Sequence, residues 1–234
     1  MEISIKDKKD TYIIIPAYNE ETRVYPVVEK IAKLGYNMII VNDGSSDNTL
    51  NVLKSIQKIY PSQIHIYSHV YNRGVGLAMQ TGFEAVLKFK PKYIVNVDAD
   101  GQHDVDDISK VLEPLISGRA EAVIGVRPLK DMPITKNFAN TVMNILTKLF
   151  YNVDVSDSQT GFRALTADAL NKISINAQGY LISSEFIREI NDKNIPFEEV
   201  VIRTIYNEET QHKGTNFKVG IKIMLLMIKH RLFD

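Results

Sequence analysis

Two aspartates that follow an apolar run are the residues of this sequence best suited to chemistry. The run begins with Tyr93-Ile94-Val95, and the stretch NVDADGQHD that continues it contains Asp98, Asp100 and Asp104. Carboxylates this close together repel one another and resist burial unless a positive charge lies among them. If the backbone stays extended, the side chains of residues 98 and 100 point the same way. Because Mg²⁺ is typically held by one or two carboxylates together with substrate phosphates and water, the pair predicts a site for Mg²⁺ or Mn²⁺.

Two neighbours extend this predicted site. Gln102 can add a neutral oxygen ligand or a hydrogen bond, whereas we expect His103 to lie behind the ligands or to have a structural role. A DxD pattern alone is a weak signal, because acidic loops often contain one by chance. Its position at the end of the fourth predicted strand is what favours a metal site.

Polar residues also follow the three earlier predicted strands. The segments are PAYNE (16–20), NDGSSD (42–47) and NRG (72–74). In open α/β sheets, ligands bind beyond the carboxyl ends of the strands, so the four ends together predict one binding site, although loops are often polar for no such reason. Asp43 can accept hydrogen bonds from a ribose or a base. The sequence has neither GxGxxG after its first strand nor GxxxxGK[ST], which disfavours dehydrogenases and P-loop NTPases.

The elements that position these residues alternate as strand and helix. Nearly continuous Val/Ile runs predict parallel strands that are covered on both faces. The predicted strands are Tyr12–Pro16, Met38–Val41, Ile64–Ser68, Tyr93–Val97, Ala122–Val126 and Val200–Tyr206. The predicted helices are Glu20–Leu34, Asp47–Ile59 with Asp47 as N-cap, Gly76–Phe89, Val105–Ile116, Asn137–Tyr151, Thr166–Ile173 and Leu181–Asn191. With no repeat or linker in view, we expect one α/β domain over residues 1–234.

Composition narrows the class of protein. Lys+Arg and Asp+Glu both number 28 among 234 residues, so the chain lacks the basic excess of a general nucleic-acid binder. The absence of cysteine excludes disulfides, thiol catalysis and Cys-based zinc sites. The charged N-terminus MEISIKDKKD does not resemble a signal peptide. The longest apolar stretches, such as Ile223–Ile228, fall far short of the roughly 20 residues that cross a bilayer. We therefore expect a cytoplasmic protein that is soluble or peripheral on a membrane.

Six segments, in this order, resemble those of family-2 glycosyltransferases with the GT-A fold, in particular the dolichyl-phosphate mannose/glucose synthase branch. They are IIIPAYNEE (13–21), VNDGSSDNT (41–49), NRGVGLAMQTGFEAV (72–86), VDADGQHDVDDI (97–108), IGVR (124–127) and SQTGFRAL (158–165). SSEF (183–186) and EEV (198–200) match more loosely. The resemblance covers residues 11–206. It implies a Rossmann-like, mostly parallel central sheet flanked by helices, and the helical periodicity of the last residues adds a C-terminal amphipathic helix.

The resemblance also implies roles for individual residues. The nucleotide would be held by Pro16, Tyr18, Glu20, Asp43, Asn72 and Gly74. The metal that bridges the diphosphate would be bound by Asp98, Asp100 and Gln102, and the residues placed in catalysis are Asp100, Arg127 and Arg163. Guanidinium groups match phosphate oxygens in two-point contacts, so both arginines are expected near donor or acceptor phosphates. An ordinary surface ion pair is the alternative for each.

The implied reaction is a metal-dependent, inverting transfer of a hexosyl group, of the kind that serves protein glycosylation. The donor is a nucleotide diphosphate sugar of the GDP-mannose or UDP-glucose type, and the acceptor is a polyprenyl or dolichyl phosphate. A phosphate monoester has a second pKa of about 6, so this acceptor is already an anionic nucleophile and has less need of a base. The Glu-Asp pair that hydroxyl-using relatives carry after the metal motif is absent here. A family-2 transferase acting on a saccharide hydroxyl and a non-catalytic nucleotide-sugar-binding membrane partner are the alternatives.

Several residues depart from the family pattern. Where relatives often carry a further arginine, MPITKNFAN (132–140) offers Lys136, which binds phosphate only as a point charge. His212 and Lys213, in the stretch expected to close over the donor, match loosely. In the segment 217–234, three lysines form a narrow stripe on an otherwise apolar helical wheel. Such a helix fits a membrane interface, a membrane-protein partner, a second copy of the chain or the domain itself.

Overall fold

A seven-stranded sheet organises the part of the chain that the computed structural model describes, residues 3–128, 132–175 and 181–205. The strands are β1 Thr11–Ala17, β2 Asn37–Asn42, β3 Ile64–Ser68, β4 Tyr93–Asn96, β5 Ala122–Val126, β6 Arg163–Thr166 and β7 Phe197–Val201. Their order in the sheet is β3-β2-β1-β4-β6-β5-β7. All neighbours are parallel except β6, which runs antiparallel to β4 and β5. The prediction of a mostly parallel sheet is confirmed.

Helices flank this sheet. They are α1 Ile5–Lys9, α2 Val24–Lys33, α3 Thr49–Ile59, α4 Val75–Leu87, α5 Ile108–Ile116, α6 Ile134–Tyr151, α7 Ala167–Lys172 and α8 Leu181–Asp192, with a short 3₁₀ turn at Val105–Asp107. Asp47 precedes α3 by two residues, and its Oδ1 accepts a hydrogen bond from the Thr49 N–H at 3.0 Å. The N-cap position is Asn48, one residue after the predicted one, but the Asp47 side chain still satisfies an N–H at the start of α3.

The central strand β1 shows why the apolar runs are continuous. Ile13, Ile14 and Ile15 are all fully buried, although successive side chains of a strand point to opposite faces. Ile13 and Ile15 belong to the apolar cluster that contains residues of α2, α3 and α5, whereas Ile14 belongs to the cluster formed with α4 and α8. Because both faces of the sheet are covered, no position in the middle of β1 needs to be polar.

The later strands depart from the sequence prediction. The strand predicted at Val200–Tyr206 is wrong in position, since β7 runs from Phe197 to Val201. Glu198 and Glu199 interrupt its apolar pattern, which an edge strand with one solvated side tolerates. Strand β6 was not predicted, because only four residues form it and its first is a buried arginine. Residue 206, the segment 217–234, His212 and Lys213 lie outside the described residues.

No helix in the described ranges is both long enough and apolar enough to cross a membrane. Short α1 was not predicted either. Its sequence IKDKK has one apolar residue, and the turn begins at Ser4, whose Oγ accepts a hydrogen bond from the Asp7 N–H at 3.1 Å. An N-cap of this kind stabilises a helix start without any apolar periodicity.

A buried carboxylate anchors the chain after β7. The Asp107 side chain is fully buried and accepts hydrogen bonds from the Arg203 backbone N–H at 2.6 Å and from the Arg203 Nη2 at 2.9 Å. Lys110 Nζ lies 2.8 Å from the same carboxylate. Burial by itself raises the pKa of Asp107, but the hydrogen bonds from Arg203 and Lys110 outweigh it and hold that pKa below its ordinary value.

Asp107→Asn should therefore destabilise the fold in a pH-dependent way. A carboxyl with a lowered pKa in the folded state adds stability above its ordinary pKa of about 4 and loses it as the pH falls through the lowered value. We expect the urea midpoint of the variant to lie well below that of the wild type at pH 7 and the gap to narrow steadily below about pH 4. Asp106→Asn, in a half-exposed pair with Lys30, is the control and should shift the midpoint little. A gap that is constant with pH would contradict this account of Asp107.

Candidate active site

A cavity of about 760 Å³ lies at the carboxyl ends of the parallel strands. It is lined by every predicted site residue except Arg163: Pro16, Tyr18, Glu20, Asp43, Asn72, Gly74, Asp98, Asp100, Gln102 and Arg127. These residues come from five separate parts of the chain. The fold thus brings the polar strand ends together as the topology of an open sheet predicts.

The strand order divides the cavity into two halves. We call the side that follows β1, β2 and β3 the β1–β3 half; its residues are Tyr18, Glu20, Asp43, Asn72 and Gly74. The opposite side, beside β5 and β6, is the β5–β6 half; its residues are Arg127, Lys136, Asn140 and Gln159. Asp98 and Asp100 follow β4, which lies between the two. A long substrate placed across the sheet edge would meet the two aspartates at its middle.

Asp43 ties the β1–β3 half together. One carboxylate oxygen accepts from the Arg73 N–H at 2.9 Å and the other from the Gly74 N–H at 2.8 Å. The ring of His69 lies 2.7 Å away through Nδ1, and its Nε2 is 2.9 Å from Thr81 Oγ1 on α4. His69 is a site residue that the sequence analysis missed. His69 directly follows β3 in the sequence, but only the fold shows that it lies next to the buried Asp43.

Close backbone packing holds the same two loops against each other. Gly44 has a positive φ of 64°, and a Cβ at this position would lie 2.2 Å from the carbonyl carbon of Tyr71. Only glycine permits both the left-handed backbone and the contact. Asn72 Oδ1 also accepts from the Gly74 N–H, at 2.9 Å, so the turn that carries Asn72 and Gly74 is fixed from two sides.

The loop after β1 is fixed in a similar way. Asn19 donates its N–H to Ser45 Oγ at 3.1 Å and accepts from the Ser46 N–H at 2.9 Å. Glu20 donates its N–H to Thr49 Oγ1 at 2.8 Å, and its carboxylate accepts from Arg23 Nε at 2.7 Å. The β1–β3 half is therefore preorganised by contacts between loops, without any ligand.

Asp98 lies at the floor of the cavity between the halves. Strand β4 ends at Asn96, so the argument from an extended backbone does not apply, yet Asp98 and Asp100 both line the cavity. The Asp98 side chain is 42 % exposed, toward the cavity. Behind it, a Cβ on Gly161 would come within 2.5 Å of Oδ2, so Gly161 makes the room that this carboxylate occupies.

The surroundings of Asp98 favour its neutral form. Withdrawal from bulk water raises the pKa of Asp98, the charge of Asp100 raises it further, and His103 and Arg127 oppose the shift. His103 is buried and accepts the Asp98 N–H at Nδ1, at 3.3 Å, while its Nε2 is 3.7 Å from Oδ2. His103 thus lies against Asp98 and also lines the cavity, and its supporting role stays a prediction.

Asp100 and Asp104 have different environments. Asp100 accepts from the Gln102 N–H at 2.9 Å and from Gln102 Nε2 at 2.5 Å, across a turn in which Gly101 has a φ of 75°. Asp104 instead contacts Lys30 at 3.2 Å and Arg203 at 3.0 Å, away from the cavity. Of the three aspartates, two therefore share the site. The role of Gln102 as a metal ligand stays a prediction.

The donor set of this site fits a hard divalent cation. Within the described ranges, no group of three or more His, Asp or Glu side chains could hold a metal ion unaided. Mg²⁺ and Mn²⁺ do not require one, because one or two carboxylates suffice when phosphates and water complete the shell. Asp98 and Asp100 open into one cavity, and the charge of Asp100 disfavours the ionised form of Asp98. A cation between them would relieve this repulsion.

A fixed arginine and a lysine supply positive charge in the β5–β6 half. Asp157, which is fully buried, accepts from Arg127 Nε at 2.7 Å and from Nη2 at 2.8 Å. This two-point pair holds the guanidinium at the cavity wall. Lys136 lies nearby on α6, where burial, together with the charge of Arg127, lowers its pKa, while Asp100 opposes the shift. The predicted phosphate-binding position of Lys136 thus faces the cavity, although its role stays a prediction.

Arg163 lies behind the cavity wall. It is 4 % exposed, donates from Nη2 to the Ser158 carbonyl at 2.9 Å and has its guanidinium carbon 4.5 Å from the ring centre of Phe186. Burial lowers its pKa to about 10, against the influence of Asp157 and Asp98. The structure therefore brings Arg163 near these acids without exposing it to the cavity. Its predicted contact with a substrate phosphate is not tested by this arrangement.

Comparison with known proteins finds a matching family model and several similar proteins. The family model described as "Glycosyl transferase family 2" matches residues 12–174. The chain is 37 % identical over 239 residues to a UDP-N-acetylglucosamine–dolichyl-phosphate N-acetylglucosaminyltransferase of Methanococcus voltae, covering 93 % of this chain and 95 % of that protein. It is 26 % identical to a polyprenol monophosphomannose synthase of Mycolicibacterium smegmatis, covering 81 % of this chain and 75 % of that protein.

A solved structure with a similar fold is glucosyl-3-phosphoglycerate synthase from Mycobacterium tuberculosis, in a complex with Mn²⁺, UDP and glucosyl-3-phosphoglycerate. The TM-score is 0.71 at 16 % identity, and the match covers 97 % of this chain and 81 % of that chain. At this identity the similarity shows the fold alone. The fold is that of GT-A glycosyltransferases, as the sequence predicts.

The pairing of Asp43 with His69 can be tested by a double-mutant cycle. His69→Ala leaves the Asp43 and Thr81 side chains each short of one hydrogen-bond partner, and we expect a loss of about 1–3 kcal/mol in the free energy of unfolding. Asp43→Asn should also destabilise the protein. The double variant should lose less than the sum of the two single losses, because both remove the same interaction. Urea unfolding measures all three, with His65→Ala on β3 as a control that should add to Asp43→Asn independently.

Proposed function

This chain belongs to glycosyltransferase family 2, and we propose that it transfers a hexosyl group from a nucleotide diphosphate sugar to the phosphate of a polyprenyl lipid such as dolichyl phosphate. The nucleotide lies in the β1–β3 half, the diphosphate at Asp98 and Asp100, and the sugar and acceptor in the β5–β6 half. The names of the two curated relatives support the choice of acceptor.

One observation carries the proposal. The β5–β6 half presents Arg127 and Lys136, while no carboxylate lines that half among the residues that the structure describes. A sugar hydroxyl needs a base to remove its proton, whereas a phosphate monoester with a second pKa of about 6 is already anionic at neutral pH. Two cationic side chains with no carboxylate base beside them suit an acceptor phosphate that is already a dianion when it binds.

The reaction that follows from this arrangement needs no proton transfer from the protein. An acceptor phosphate oxygen forms a bond to the anomeric carbon from the side opposite the leaving group, and the bond from that carbon to the β-phosphate oxygen breaks. The electron pair leaves with the nucleoside diphosphate, and the configuration at the anomeric carbon inverts. Arg127, held by Asp157, would orient the acceptor phosphate through its guanidinium fork.

Mg²⁺ or Mn²⁺ fits the remaining charge requirement. Asp98 and Asp100 would hold the ion, with Gln102 beside them, and the ion supplies neutralisation of the charge that develops on the leaving nucleoside diphosphate. The fixed loops of the β1–β3 half would hold the base and ribose through Asp43, Tyr18 and their neighbours. Because the acceptor is a lipid, we place the protein peripherally on the cytoplasmic face of a membrane.

A transfer assay tests the proposal directly. Purified protein is mixed with polyprenyl phosphate and Mg²⁺ or Mn²⁺, and separately with radiolabelled GDP-mannose, UDP-glucose or UDP-N-acetylglucosamine. We expect label from one donor to enter the organic phase and a chelator to abolish the transfer. Transfer to a saccharide acceptor but not to the lipid phosphate would instead assign the chain to a hydroxyl-using reaction. Tight nucleotide binding without any transfer would favour a non-catalytic partner.

Asp100→Asn tests the metal-binding carboxylates separately. Because the substitution removes a charge from the site and keeps the size of the side chain, we expect the turnover rate to fall by about 10²-fold or more while the protein stays folded. Asp106→Asn is the matched control, since Asp106 is half-exposed and pairs with Lys30 outside the cavity. Equal turnover by both variants would overturn the assignment of Asp100.

A further inference from the structure

The carboxylate of Asp43 has little hydrogen-bonding capacity left for a ligand. An ionised carboxylate only accepts hydrogen bonds, at about four lone-pair positions on its two oxygens. Oδ1 accepts from the Arg73 N–H at 2.9 Å and from His69 Nδ1 at 2.7 Å. Oδ2 accepts from the Gly74 N–H at 2.8 Å. Both positions on Oδ1 are therefore occupied, and one position on Oδ2 remains.

The burial of Asp43 limits a ligand in the same way. Asp43 lines the cavity, but only 4 % of its side chain is exposed. A Cβ built on the neighbouring Gly74 would meet no atom within 4 Å, so the turn at this residue leaves the adjoining space open. A ligand in this part of the cavity thus meets a narrow edge of the carboxylate rather than both of its oxygens.

His69 is the side chain that closes Oδ1. Because a carboxylate cannot donate, the proton of this contact lies on His69 Nδ1. In the neutral ring, Nε2 then accepts from the Thr81 hydroxyl, 2.9 Å away on α4. Only 9 % of the His69 side chain is exposed. The ring is therefore held from both sides and keeps its position on Oδ1.

Asn72 offers the opposite polarity on the same wall of the cavity. Its Oδ1 accepts from the Gly74 N–H at 2.9 Å, so Nδ2 is the donor that this cavity-lining amide offers to a ligand. The wall formed by Asp43 and Asn72 thus presents one acceptor position and one donor group.

We propose that this wall recognises uracil and rejects guanine, so that the sugar donor is a uridine diphosphate sugar. The inference rests on the proposed function, in which the nucleotide lies in the β1–β3 half. Uracil presents a single donor, N3–H, between two carbonyl oxygens. The donor matches the one remaining position on Asp43, and a carbonyl oxygen matches Nδ2 of Asn72.

Guanine does not match this wall. Its N1–H and 2-amino groups are adjacent donors, which a carboxylate satisfies together by accepting one on each oxygen. Because His69 and Arg73 already occupy Oδ1, one guanine donor would be withdrawn from water without a partner. Cytosine fails for another reason, since its N3 is an acceptor that would face the carboxylate. His69 is thus a specificity-determining residue in addition to its role in holding Asp43.

Calorimetric titration of the full chain with nucleoside diphosphates and Mg²⁺ tests the proposal. We expect UDP to bind at least about tenfold more tightly than GDP, and also than 3-methyl-UDP, which lacks the N3 donor. Inosine diphosphate has the purine ring system of GDP without the 2-amino group, so it should bind more tightly than GDP. This last comparison separates the effect of an unmatched donor from the effect of the larger size of a purine.

Two substitutions separate base selectivity from stability. His69→Ala frees a position on Asp43 Oδ1, and we expect the ratio of the GDP and UDP dissociation constants to fall by about fivefold or more. Thr81→Val is the matched control, since it removes the other partner of the same ring and leaves Oδ1 occupied. It should lower stability without changing the ratio. The comparison of bases in the wild type needs no variant, so it decides the matter even if His69→Ala does not fold.

Three results would overturn the proposal. They are GDP binding as tight as UDP binding, GDP binding tighter than that of inosine diphosphate, and a ratio that Thr81→Val changes as much as His69→Ala does. The titrations use no acceptor and no turnover. Loss of the lipid-phosphate transfer with intact selectivity for UDP would therefore contradict only the proposed acceptor, whereas transfer from GDP-mannose would contradict only the choice of uridine.

Discussion

A buried carboxylate must be paired, and the structure around the cavity depends on how each pairing is made. Asp43 is satisfied by backbone N–H groups and His69, Asp157 by Arg127, and Asp107 by Arg203. In each case the partner lies in a distant part of the chain, so the cost of burying the charge is offset only when two loops come together. Each of these three acids thus joins two segments of the chain through hydrogen bonds or an ion pair, in addition to the contacts of the hydrophobic core.

Asp98 and Asp100 are the exception, and this difference explains the site. The Asp98 carboxylate lies 3.7 Å from Nε2 of His103, and the Asp100 carboxylate accepts hydrogen bonds from Gln102. Neither partner carries a fixed positive charge. The two carboxylates therefore face the cavity without a fixed positive charge in contact with them. A divalent ion with phosphate ligands would supply the positive charge that these two carboxylates lack.

The sequence predicts this site better than it predicts the second half of the fold. A strand that is buried on both faces leaves a Val/Ile run, as in β1, and a polar loop must follow it at the ligand edge. Strand β6 leaves no such run, since it has four residues and begins with Arg163. The arginine is conspicuous in the sequence for its chemistry, but its environment depends on Phe186 and Ser158, which only tertiary packing brings near. His69 was missed for the same reason.

The antiparallel strand β6 also gives the two halves their different chemistry. A parallel strand would present only its carboxyl end to the cavity, whereas β6 begins at this edge and places the 156–161 loop there. That loop supplies Asp157 to fix Arg127, Gly161 to make room for Asp98, and the Ser158 amide that seats α6. One reversed strand therefore links Arg127, Asp98 and helix α6. Moving this loop would disturb all three at once, so Asp98 and the β5–β6 half form one structural unit.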